Sequence, residues 1–224
     1  FDSAGMFASD GHVTIEDGQN VSVNDANDIL FNAADASDLT PGDTLDSLTV
    51  TAGGMIFLHD ADLGTDTAVV ITTAAGQAFN GATVLEQNTT LNAAGAVTFN
   101  GTLNSDAAMS NRDLAVNNSG ATTFVGAAGA LAALGAIDTD AGGSTHIDGG
   151  FVTSAGAQTY NDDVELGGAG LTTLTANAGA GDVTFNANVD AIALGVQTLL
   201  LDANLILGDA GADAIGGINA IGEL

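Results

Sequence analysis

The 224-residue chain carries 28 Asp and Glu against a single Lys or Arg, Arg112, and its formal net charge is −27. Nucleic acid is excluded as a partner, because phosphate binding needs Lys and Arg to displace counterions, and anionic membrane surfaces are disfavoured for the same reason. With no Cys there is neither a disulfide nor a thiol nucleophile. Hydrophobic content of 46% with 31 Gly, 1 Pro and nine Phe describes an ordered chain with a core of Val, Leu, Ile and Ala, not a flexible linker.

In chain order, residues 1–46 open with strand-like pieces at 12–15 (HVTI), 21–24 (VSVN) and 29–31 (ILF). Gly11, Gly18 and Asn27 fall before or between them, where a turn needs a positive φ or a side-chain cap. The stretch 32–46 (NAADASDLTPGDTLD) holds the Pro41-Gly42 turn signal among Asp residues, so 1–46 reads as an N-terminal cap or arm. From 47 to 207 the rhythm is steady. Short bursts come at 48–51, 55–58, 68–72, 83–86, 89–92 and 97–99, then at 114–117, 122–125, 145–148, 164–166, 171–175, 183–185 and 196–201. Thr, Val and Leu dominate them, as suits short half-buried strands. The links are too brief for βα units, except 127–134 (AAGALAAL), which reads as one or two helical turns. Residues 208–224 form a C-terminal end segment. The run 126–137 (GAAGALAALGAI) is too short and too rich in Gly and Ala to span a bilayer. The start at Phe1, without an initiator Met or a basic leader, is that expected of a mature or excised piece.

One stretch occurs twice. Residues 155–186 (AGAQTYNDDVELGGAGLTTLTANAGAGDVTFN) match 76–100 (GQAFNGATVLEQNTTLNAAGAVTFN), with an offset of 81 at Gln77 and Gln158 that grows to 86 at Phe99 and Phe185. Self-similarity of this kind predicts an all-β chain wound as a parallel β-helix, a β-solenoid. Phe79, Phe99, Phe124 and Phe151, spaced by 20, 25 and 27 residues, then predict a Phe ladder, one ring per coil. Asn80, Asn100 and Asn186 each follow a Phe and Asn161 follows Tyr160, which suits corners where Asn bonds to its neighbours in adjacent coils. The competing architecture is a β-sandwich of the jelly-roll type. It uses similar short strands, paired antiparallel, but has no reason to repeat at this period.

Residues 142–167 (GGSTHIDGGFVTSAGAQTYNDDVELG) and 180–191 (AGDVTFNANVDA) resemble the repeats of filamentous-haemagglutinin-like and autotransporter-like bacterial adhesins. The resemblance covers about residues 47–207. It implies a right-handed parallel β-helix, secretion, and work outside the cell or at its surface.

Chemistry finds little foothold. Carbohydrate-active β-helices use a basic residue beside clustered carboxylates, and here only Arg112 is available, with no Trp for sugar stacking. Asp162-Asp163 is a carboxylate pair, but neighbours on a strand point to opposite faces. His12, His59 and His146 lack zinc spacing, and the absence of Lys removes any phosphate-binding GxxxxGK loop. The acidic residues have two readings: a solvated surface that keeps a repeat protein soluble, or Ca²⁺ ligands. Asp60, Asp62 and Asp66 alternate around Gly64. Asp209 and Asp213 lie in GDAGADAIG, which resembles one unit of a calcium-binding nonapeptide. Calcium is therefore the one cofactor implied. The expected function is that of a non-enzymatic, extracellular or cell-surface structural or adhesive solenoid, with self-association into filaments. Surface glycans or host or matrix proteins are further partners, without membrane insertion. The alternatives are a carbohydrate-binding or carbohydrate-degrading β-helix, and an ice-binding Thr array whose constant spacing this chain lacks.

Overall fold

The computed structural model describes residues 46–59, 68–168, 170–193, 195–208 and 214–216, together with the strand backbones of Asp2–Ser3, Phe7–Ala8, Asn20–Asp25 and Ile29–Asn32. The chain winds as a parallel β-solenoid of about six turns, with no α-helix among the described residues. Each turn lays short strands on three faces. Face I stacks 47–52, 77–80, Val97–Phe99, Ala121–Phe124, Ser144–Ile147, Asp163–Leu166 and Val189–Ala191. Face II stacks Ile29–Asn32, 55–58, 82–85, Leu103–Ser105, a bridge at Ala128, Phe151–Ser154, Leu171–Ala176 and Thr198–Asp202. Face III stacks Val69–Thr73, Thr89–Ala93, Leu114–Asn118, Ile137–Thr139, Gln158–Tyr160, Asp182–Phe185 and Asn204–Leu207. Every pairing here is parallel, which overturns the antiparallel sandwich.

Strands of three to five residues are too short to stand alone. They persist because the turns before and after pair with them, along both edges except at the ends of a sheet. Alternation then selects the core: inward side chains are buried and outward ones half-exposed, as in Val97–Phe99 and Gln158–Tyr160. Register stacks like on like. On face I the inward column runs Val50, Phe79, Phe99, Phe124, Ile147, Leu166, Ala191, and all of these are essentially inaccessible. Turn length is loose, from 19 residues between Ile147 and Leu166 to 29 between Val50 and Phe79.

Two expectations need correction. The Phe ladder holds at Phe79, Phe99 and Phe124, whose rings stack at 5.2 and 5.7 Å. It does not include Phe151. The face I partner of Phe124 is Ile147, and Phe151 points outward on face II, 52% exposed. A second stack, Tyr160 on Phe185 at 5.4 Å, lies on face III. Residues 127–134 are not helical: Ala128 and Leu134 make isolated strand bridges, and Gly129 at φ +70° permits the bend between them. The sequence repeat is also not a whole number of turns. Gln77 opens a face I strand and Gln158 a face III strand, three turns and two faces later. What recurs is a corner, rotated to another edge of the prism.

Parallel pairing also reaches the N-terminal stretch, where Asn20–Asp25 and Ile29–Asn32 pair with Ser47–His59. The expected strand at 12–15 lies outside the described residues.

Candidate functional site

Corners are where a solenoid loses its regular ladder bonds, and here polar side chains restore them. Gln77 donates its Nε2 to Ile71 O at 3.2 Å, Thr73 Oγ1 at 3.3 Å and Asn92 O at 2.9 Å. Gln158 repeats this on Val152 O at 3.2 Å, Ser154 Oγ at 3.1 Å and Thr175 O at 2.8 Å. This shared wiring is the physical content of the duplicated sequence.

The acidic residues take part in the same work. Asp113 Oδ1 accepts the backbone N–H of Ala136 at 2.7 Å, and Asp163 Oδ1 that of Asn188 at 3.0 Å. Asp140 Oδ1 accepts Asn118 N–H at 3.0 Å. Each carboxylate thus ties one turn to the next. Beside them run the Asn ladders: Asn100 donates to Asn80, which donates to Thr51, and Asn117 donates to Asn92, which donates to Thr72. Asn186 donates to Asn161, which donates to Asp138 and to Thr139 O. The aromatic–Asn steps seen in the sequence therefore build two ladders on two faces, and the Asn92–Asn117 ladder has no aromatic before it.

Of the predicted calcium ligands, Asp60, Asp62, Asp66, Asp209 and Asp213 all lie outside the described residues. Among the described residues no group of three or more His, Asp or Glu is placed to hold a metal ion. Arg112 is engaged by Asp106 through Nε at 3.0 Å and Nη2 at 3.4 Å. Partial burial raises the Asp106 carboxyl, but hydrogen bonds from Arg112 and Ser110 outweigh it and hold the group below the usual range. His59 Nδ1 lies 2.9 Å from Glu86 Oε2. On the outer side of face I, His146 Nε2 meets Ser144 Oγ at 3.0 Å and Glu165 Oε2 at 3.5 Å. Both contacts end on one nitrogen, so this Ser–His–Glu group is not a proton relay, which needs both ring nitrogens.

One carboxyl stands apart. Asp162, at the corner between faces III and I, is 3% exposed. Its Oδ1 accepts from Thr145 Oγ1 at 2.8 Å and Thr139 Oγ1 at 3.2 Å, while Oδ2 is buried without a hydrogen-bond partner. Burial pushes its pKa up to about 6 against the two threonines, with the Asp140 charge adding to the rise. Its neighbour Asp163 is exposed, so the alternation expected for this pair holds. Burial likewise raises the Tyr160 phenol, which donates to Gln158 Oε1 at 3.0 Å. The outer surface of face II carries an exposed apolar group, Phe151, Leu171 and Leu200, on three successive turns. Comparison with protein-family models, curated proteins and solved structures finds no match to the chain.

Proposed function

We propose that the protein is an extracellular or cell-surface solenoid rod with a structural or adhesive role, extending head to tail into filaments. The observation that carries this reading is the open edge of face III. Asn204–Leu207 pairs with Asp182–Phe185 on one side, and among the described residues no strand lies on the other. Leu205 and Leu207 continue the columns of Val183 and Phe185, which are fully buried, yet they stand 42% and 46% exposed. An in-register edge with unsatisfied inward leucines is the template on which every earlier turn was laid, and a strand from another copy fits it by β-augmentation. The resemblance of residues 142–167 and 180–191 to bacterial adhesin repeats supports the surface role.

Light scattering over a wide concentration range, with negative-stain imaging, tests the reading. Mass should grow with concentration and rods should exceed one solenoid in length. Leu207→Lys should stop growth while the β-type circular dichroism is retained. A wild-type chain that stays monomeric throughout would remove the filament and leave a single adhesive rod.

A further inference from the structure

We propose that Asp162 is a proton-operated latch, closing the corner between Tyr160 and Val164 when neutral and loosening it when ionised. The geometry starts from Asn118, which holds the same corner two turns earlier. That amide is fully used: Oδ1 accepts Thr122 Oγ1 at 2.8 Å, and Nδ2 donates to Gly120 O at 2.9 Å and Gly95 O at 3.3 Å. Asp162 reproduces the accepting half with two threonine hydroxyls. It lacks the donating half unless its second oxygen carries a proton. A buried oxygen with no partner is costly when neutral and more so when charged.

The surroundings oppose the charge from below and do nothing to relieve it from above. The preceding turn brings Asp140 and Asp138 to this corner, both carboxyls. On its own turn Asp162 has the exposed Asp163, whose Oδ1 is bonded to Asn188, and the Tyr160 phenol, already donated to Gln158. The corner of the following turn, 186–188, is Asn-Ala-Asn and has no ionisable group. Among the described residues no Lys, Arg or His acts on the Asp162 carboxyl. The sign follows from a folded-state pKa raised from 3.8 to about 6. The stabilising contribution is fully present below about pH 4 and is lost as pH rises through about 6.

The test is Asp162→Asn, which supplies the missing donor at every pH, compared with wild type and with Asp202→Asn, an exposed residue carrying the same charge change. Thermal melts run from pH 4 to pH 7.5 in EDTA. The melting temperature of Asp162→Asn should equal that of wild type near pH 4 and exceed it by about 5–10 °C at pH 7.5. Asp202→Asn should show much less of this divergence. Equal divergence for the two variants would reduce Asp162 to one more surface charge and overturn the latch. So would a Ca²⁺-dependent rise in wild type at pH 7.5 that Asp162→Asn lacks, since the orphan oxygen would then be a cation ligand. Should Asp162→Asn fail to fold, carboxyl-carbon NMR of the wild-type chain decides. A midpoint for Asp162 near 6 supports the latch, and one below about 4.5 overturns it.

Discussion

At Gln158 the side-chain carbonyl accepts the Tyr160 phenol within a fully buried pair, whereas at Gln77 the same carbonyl has no partner. The difference is one atom. Phe79 stands two residues after Gln77, where the later copy has the chain's only tyrosine. Removing one member of a buried hydrogen bond costs about 1–3 kcal/mol, because the other is left desolvated. Tyr160→Phe should therefore destabilise the protein by about that amount in urea unfolding. Phe79→Tyr should recover a similar amount by supplying a hydroxyl to Gln77, as the ring position is already set by stacking on Phe99. A destabilised Phe79→Tyr would mean that the two corners are not equivalent. Asp162 belongs to the same scale: a single buried carboxyl oxygen without a partner makes ionisation costly at its corner.

At the corner between faces I and II, Gly81, Gly101, Gly126 and Gly149 stack on successive turns, and the last three leave no room for a Cβ. A Cβ on Gly101 would fall on the Gly81 carbonyl, and one on Gly126 or Gly149 on the glycine below it. Gly126→Ala must push two turns apart, and overpacking of this kind costs about 1–3 kcal/mol. A neutral Gly126→Ala in urea unfolding would show that the corner yields freely. Much of this architecture was legible in the sequence. The bursts at 97–99 and 183–185 are strands, and the aromatic–Asn steps are ladders. Leu103–Ser105, Ile137–Thr139 and Val189–Ala191 gave no signal, because each carries a single large apolar residue and the neighbouring turns make them strands. Phe151 misled for a related reason. Turn lengths vary, so spacing along the chain does not report which ring lies above which. The Asp162 corner was visible only as an Asp-Asp pair, since its meaning depends on Thr139 and Thr145 from the turn before.

Taken whole, the molecule is a rod in which each turn touches only its neighbours, so its stability is a sum over adjacent turns. Against that sum stands the self-repulsion of a net charge of −27. Monovalent salt shortens the screening length from about 30 Å at 10 mM to about 8 Å at 150 mM, so the melting temperature should rise over that range. A flat response would mean that the carboxylates are neutralised locally by the N–H groups they accept. The Asn ladders carry one more consequence. Asn161 donates to Asp138, Asn188 to Asp163 and Asn204 to Asp182, and carboxylates of this kind only accept, so each amide is forced to face the earlier turn. The Asn–Asn links at residues 80–100, 92–117 and 161–186 run the same way. The described turns thus have a direction, their ladder amides aligned like a row of arrows. A turn added in the same sense would extend that alignment, and one added in the opposite sense would break it.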